Sequence, residues 1–491
     1  MSCVRPGAEL PLSVAPRPAS IKRSGLATLT LALLLVPGLT GCGSGKPTIS
    51  GTLRIALSAP IRVPDPARAT SPTEQFVASL LFPGLMKFSP DLHVVPELAV
   101  SIPTITAGGR TYTFTIRQDA RFADGRHCTA RDVAFSLSRA LSPAVHSPLA
   151  PIYLGGITGA RDVERGVSRR LAGVRVVDKL TLRVHLDRPD ATFLQKLALP
   201  AGGVVERAAS SPSLAGAGAW TVSRRTRDGL LTLVPRRHFY GGSLELRSLI
   251  LVPSRNDAQA IALYRKSTVD VAHVPAESWR SLQAKQDFHK SVSLDAYYAV
   301  PHGPHRTRLE TSLDRDALVA SVSPALSPLT SIVPPAVPDY LSSPPDPVSH
   351  EVNTSPSVRL TMAPAGDQLS RGLRDALSRQ WHVSGRGHLV TVIHAWRSLP
   401  DPVVWLRLLL PWTHSRWYRA QLARSDQLTN DPVGRMSAYG AAENWALGKA
   451  IVIPLAGSST AYLIKPSVQN LQVTPIGIMP VNDNWSNVGV S

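Results

Sequence analysis

The sequence predicts a mixed α/β fold of several domains, on three observations. Short alternating strand patterns and helical spacings are interleaved along the chain rather than segregated into separate halves. With 491 residues, 43% of them hydrophobic, there is material for more than one buried core. No internal repeat is visible.

The N-terminus reads as an export signal. Lys22 and Arg23 precede an eleven-residue apolar run from Leu26 to Val36, which then meets Leu39-Thr40-Gly41-Cys42. A helix needs roughly 20 residues to cross the hydrocarbon core, so this run fits a signal-peptide apolar region. The tetrapeptide is similar to a bacterial lipobox, with small residues before a thiol that accepts diacylglycerol. The expectation is a lipoprotein signal peptide over 1–41, lipidation at Cys42 and a tether over 42–47. The Pro-containing stretch before Lys22 is longer than an ordinary leader start. Of three cysteines, Cys3 leaves with the signal and Cys42 carries lipid. Cys128 alone remains, so the exported fold is expected to stand on its core without an intramolecular disulfide.

The formal net charge is +19; Arg5, Arg17, Lys22 and Arg23 against Glu9 account for +3 of it before Cys42, leaving +16. Most of the basic residues are Arg, and Ala and Pro are also plentiful, which reads first as the composition of a GC-rich genome; the functional alternatives are attraction to an anionic membrane surface or to an acidic ligand. The Arg residues are scattered without aromatic interleaving, so no nucleic-acid platform is expected.

In order along the chain, Gly51 to Leu57 alternates as a first strand. Thr73 to Phe82 has helical spacing, with Phe76, Val77, Leu80 and Leu81 on one side and Pro83-Gly84 as the stop. Thr111 to Ile116 is a strand, closed by the turn Ala123-Asp124-Gly125. Thr129 caps a helix to Leu141, with Asp132 at the third position and Val133, Leu137 and Ala140 facing inward. A strand pair is expected at 174–177 and 181–186, with further strands at 230–234 and 249–252. The Pro- and Ser-rich stretch 325–357 reads as loop. Trp405, Leu406, Leu409 and Leu410 lie on a helix ended by Pro411, and a helix at 436–450 runs into a buried strand, 451–454.

Several strings then carry a family resemblance. Leu81-Phe82-Pro83-Gly84-Leu85 resembles "lyeGL", and Pro96-Glu97-Leu98-Ala99 resembles "PaLAes", of the family 5 extracellular solute-binding proteins. Thr111 to Arg117, Arg121 to Gly125 and Thr129 to Ser136 together resemble "ytFtLRdgvkFsDGtplTAeDVvfSl". Looser matches follow at Gly216 to Trp220, His238 to Gly242, Val269 to Ala272, Arg306 to Arg315, Ile453-Pro454-Leu455 and Trp485 to Val488. The resemblance implies a two-lobed periplasmic-binding-protein clamshell (type II, cluster C-like) with an extra subdomain inserted in lobe 1. Carried over, lobe 1 comprises 48–87, 155–251 and 452–491, the insertion 88–154, and lobe 2 252–451. It also implies a monomer without cofactor that captures a peptide or other small-molecule ligand. The partners implied are the permease subunits of an ABC importer and, through the lipid, the membrane.

The resemblance places ligand contacts as well. Peptide binders of the family carry "W.aDY.dP", whose Asp pairs with the ligand's ammonium. The matching stretch runs from Ala395 to Pro402, and the pairing position falls on Ser398, with Trp396 and Arg397 beside it and Asp401 at the later acidic position. A hydroxyl and a guanidinium there suit a ligand without a free amine. Tyr297 and Tyr298 occupy the strand where the family has "y.aFN"; adjacent strand residues face opposite sides, so core packing is expected for one of them. Trp220 and Trp396 are flat stacking surfaces or core residues.

No nucleophile elbow, zinc-protease helix, phosphate loop or paired C-x-x-C is present, so no enzyme is expected. His302-Gly303-Pro304-His305 has metal-like spacing without a third ligand. The rival reading is a non-transport envelope lipoprotein, a regulatory or scaffolding partner in cell-wall or glycolipid assembly. A cleft filled by the chain's own side chains would favour it.

Overall fold

Hydrophobic alternation along strands and apolar stripes along helices resolve, in a computed structural model, into two lobes sharing one large sheet. The structure describes residues 51–59, 65–207, 215–302, 309–310, 312–340, 357–362, 367–385, 387–395, 399–480 and 485–490. The expected leader and Cys42 lie outside these residues. None of the described helices is long and apolar enough to cross a membrane.

Among the described residues the large sheet has eleven strands. Its lobe 1 half centres on Thr52–Leu57, which runs parallel to Ser248–Pro253 and to Val271–His273. Leu231–Pro235 and Trp220–Arg225 extend it antiparallel at the edge. Its lobe 2 half contains His388–Ala395 and Ser357–Met362. Two long strands, Phe288–Pro301 and Ile453–Ile464, belong to both halves. Core clusters form on both faces of each half, so the central strands bury most of their side chains, while the edge strand Trp220–Arg225 is largely exposed beyond Trp220.

The pairing of the two long strands marks the passage between lobes. Phe288 to Val292 pairs with Leu463 to Ser459, whereas Ala296 to Ala299 pairs with Gly457 to Ile453. The register breaks between, at Ser293, Leu294 and Asp295, where Ser293 Oγ meets Ser458 Oγ at 2.8 Å. A bulge of this kind bends a strand and loosens its ladder locally. The expected start of lobe 2 at 252 precedes this crossing. Helix Asp257–Arg265 packs Ala260, Ile261 and Tyr264 under Ala56 of the lobe 1 sheet, and Val271–His273 pairs inside that sheet. The return likewise lies within the second long strand, beyond the expected 452.

A separate four-stranded sheet, in the order Thr104–Thr106, Thr111–Thr115, Thr181–His185, Val174–Val176, has its own core around Phe114, Phe122, Leu137 and Leu182. The expected boundary at 154/155 cuts through it, because Thr111–Thr115 pairs directly with Thr181–His185. Hydrogen bonding, which sequence spacing alone does not reveal, unites the two segments.

Helix starts follow their caps. Pro72–Leu81 begins one residue before the spacing predicts, since Ser71 Oγ accepts from Glu74 N–H at 3.2 Å and proline suits the first helical position. Ala130–Ala140 begins after Thr129, whose N–H donates to Asp132 Oδ2 at 3.0 Å. Asp132 is 1% exposed and is held by Arg126 at 3.0 Å, which also reaches Glu206 at 2.8 Å. Pro432–Gly448 likewise starts earlier than expected, capped by Asp431. Within 325–357, Leu326–Pro328 forms a short strand against Ile453–Ile464.

The hairpin Met86–Phe88/Val94–Pro96 reaches lobe 2. Its Leu92, held at φ +65°, is 1% exposed within a cluster otherwise built from lobe 2 residues such as Ile332 and Trp405. His93 Nε2 faces Asp339 Oδ2 at 3.0 Å.

Candidate functional site

A cleft of about 930 Å³ opens at the crossing, within the range of pockets that enclose small ligands. One wall is the carboxyl end of Thr52–Leu57 with helix Pro72–Leu81; another is the hairpin containing Lys87 and Glu97. The floor includes Ser293, Leu294 and Asp295, so the bulge that joins the lobes lies against the cavity. The hairpin Leu471–Thr474/Gly477–Pro480 closes a further side, with Ile476 at its tip 45% exposed. Gly477 takes φ +125° in that turn, which a side chain would strain. Phe76, Phe88, Phe239, Tyr462 and Trp485 make much of the surface aromatic.

Six acidic or basic side chains line the cleft among the described residues: Lys87, Glu97, Arg117, Asp257, His273 and Asp295. Each carboxylate already has a basic partner. Glu97 Oε2 meets Lys87 Nζ at 2.6 Å while its other oxygen accepts from the Tyr240 hydroxyl. Burial, followed by the Glu97 charge, drives that hydroxyl well above its usual range. Asp257 Oδ1 faces His273 Nδ1 at 3.2 Å and accepts from Ser58. Burial opposes its charge, but the imidazole and hydroxyl outweigh it and hold the carboxyl below its ordinary value. Asp257 also opens a nine-residue helix, where the dipole favours an anion.

Asp295 Oδ1 faces His394 Nε2 at 3.6 Å, and His394 Nδ1 meets Asp367 Oδ2 at 3.0 Å. Burial disfavours the imidazolium, yet the two carboxylates prevail and raise His394 to about 9. The ring stacks on Tyr297 at 4.6 Å and 10°, and the Tyr297 hydroxyl donates to Asp367 Oδ2 at 3.0 Å.

The structure separates the residues expected at the site. Trp396, Arg397 and Ser398 lie outside the described residues. Tyr297 is 2% exposed and serves the His394 network instead of the cavity wall. Tyr298 is fully buried on the opposite face of the sheet, its hydroxyl bonded to Ile332 O. Trp220 is 2% exposed and packs edge-on to Trp485 at 5.7 Å, so it supports a cleft residue without lining the cleft. Asp401 caps helix Pro402–Leu408 through Val403 N–H at 3.0 Å. His302 is described, with Nε2 at 3.1 Å from Thr391 Oγ1, but His305 is not. Among the described residues no three potential ligands gather to hold a metal ion.

Sequence reading missed Lys87, Glu97, Arg117, Tyr240, Asp257, His273 and Asp295. Three of them, Glu97, Arg117 and Tyr240, sit inside the strings that carry the family resemblance. Their convergence needs contacts between segments over a hundred residues apart, which spacing does not report.

Two lobes sharing paired crossing strands, with a mixed aromatic and charged cleft at the crossing, define a ligand-binding clamshell. The chain belongs to the bacterial extracellular solute-binding proteins, family 5, whose middle-region model matches residues 93–356. It is 28% identical over 272 residues to the periplasmic murein peptide-binding protein MppA of Escherichia coli K12, covering 51% of this chain and 50% of MppA. It is 25% identical over 282 residues to the periplasmic oligopeptide-binding protein OppA of the same strain, covering 52% of each. The matches thus span about half the length of these curated relatives. The fold resembles the unliganded open form of the murein tripeptide-binding protein MppA, with TM-score 0.77 and 21% identity over 90% of this chain and 97% of that one.

Proposed function

We propose that this chain is a lipid-anchored extracytoplasmic binding protein that captures a peptide or peptide-like ligand between its lobes. It delivers that ligand to an ABC importer, and the favoured ligand lacks a free N-terminal amine. The observation that carries the last point is that Glu97, Asp257 and Asp295 are each matched by a basic side chain of the protein. At Glu97 and Asp257 an incoming ammonium would have to displace the basic partner already there, and at Asp295 it would meet an oxygen free of hydrogen bonds among the described residues but set against the His394 cation. Relatives named for murein peptide and oligopeptide binding support the peptide-like class.

The cavity stands open between its walls, which favours capture over a scaffolding role. In this reading lobe 2 extends from about 293 to about 457, and the inserted subdomain from about 88 to about 199. Cys42 is the tether, and Cys42→Ser is expected to release the protein from the membrane into the medium, as fractionation would show. Calorimetry with matched free and N-acetylated tripeptides tests the ligand class. Tighter binding of the acetylated member supports it; tight and selective binding of unmodified peptides overturns it.

A further inference from the structure

Lys87 meets Glu97, His273 faces Asp257, and His394, from outside the lining, faces Asp295, whereas Arg117 lines the cleft without meeting any of these three carboxylates. Arg117 follows strand Thr111–Thr115 and is anchored by its own N–H to Leu98 O at 2.9 Å. Its guanidinium lies 4.9 Å over the Tyr240 ring, and that ring is fixed in turn because its hydroxyl donates to Glu97. Among the described residues its one ionic partner is Asp119, which meets Nε at 3.4 Å on a side chain 61% exposed. A long, solvated contact of that kind contributes little, and among the described residues the two terminal nitrogens of the fork have no hydrogen bond.

We propose that Arg117, braced on Tyr240, is an anion-binding subsite of the cleft that takes a carboxylate or other oxyanion of the ligand. This rests on the capture reading above. A planar guanidinium presents paired donors that match an oxyanion, which a lysine ammonium does not. The ring beneath it restricts the side chain before the ligand arrives, so less ordering is lost on binding. The partly enclosed, aromatic-lined cleft strengthens the pairing relative to open water. Glu97 does not compete for the guanidinium, since its two oxygens are engaged by Lys87 and Tyr240.

The test is calorimetric, using N-acetyl-trialanine with a free carboxylate and its C-terminal amide. The mature protein, Arg117→Gln and Arg117→Lys are compared, with melting temperature as the control for folding. The wild type is expected to prefer the acid by about tenfold, the worth of one good charged contact. Arg117→Gln is expected to abolish that preference with its melting temperature kept, and Arg117→Lys to retain part of it. Equal affinities in the wild type, or a preference surviving Arg117→Gln, would overturn the subsite while leaving capture intact. If neither peptide binds, the peptide reading fails, and inorganic phosphate then decides the subsite alone. A phosphate-induced rise in melting temperature that Arg117→Gln lacks keeps the subsite, and no rise overturns it.

Discussion

His394 stands between Asp295 and Asp367, with the Tyr297 ring flat against it. Its pKa in the fold, about 9, lies above the ordinary imidazole value, so the charged form stabilises the native state. That contribution is complete below about pH 6.5 and is lost as pH rises towards 9. The melting temperature of the wild type is therefore expected to fall between these limits relative to His394→Gln, and parallel profiles would contradict the assignment. Individual residues were readable where their partners are local. The Thr129 and Asp132 pair is legible because the partners are three positions apart on a helix start. Asp295 is not, because its partner lies on a strand a hundred residues away, and the chain between them leaves no mark on the local pattern.

At the scale of elements, helix Pro432–Gly448 secures the irregular stretch before it through one carboxylate. Glu443, fully buried, accepts from Ile332 N–H at 2.6 Å, from Val333 N–H at 3.1 Å and from the Tyr340 hydroxyl. Glu443→Ala strands those donors and is expected to cost about 3 kcal/mol, read as a lowered urea midpoint. The crossing strands carry a second expectation. Their ladder is interrupted at residues 293–295, so amide exchange there should be faster than at Tyr297 to Val300 in the ligand-free protein. Alternation shows that Tyr297 and Tyr298 face opposite ways, but not which helices cover each face. Nor does the fourteen-residue strand Phe288–Pro301 reveal in its sequence where it leaves one lobe for the other.

For the whole molecule, the mixed α/β class was legible from interleaved periodicities, and the two-lobed form from strings spread along the chain. The lobe limits were not, because a domain boundary is set by which strands pair, and two strands here pair in both lobes. The bulge lies in the floor of the cleft, so a ligand touching it also touches the strands that pass between the lobes. Bound ligand is accordingly expected to reduce the radius of gyration by favouring a closed form, as small-angle scattering would record.

Capture of a ligand in this cleft is the central claim, and native mass spectrometry of the purified mature protein tests it most directly. The expected result is a noncovalent adduct of peptide-like mass that is lost on unfolding, or one that forms when N-acetylated peptides are added. Bare protein in every case, with no adduct from free or acetylated peptides, would contradict the account.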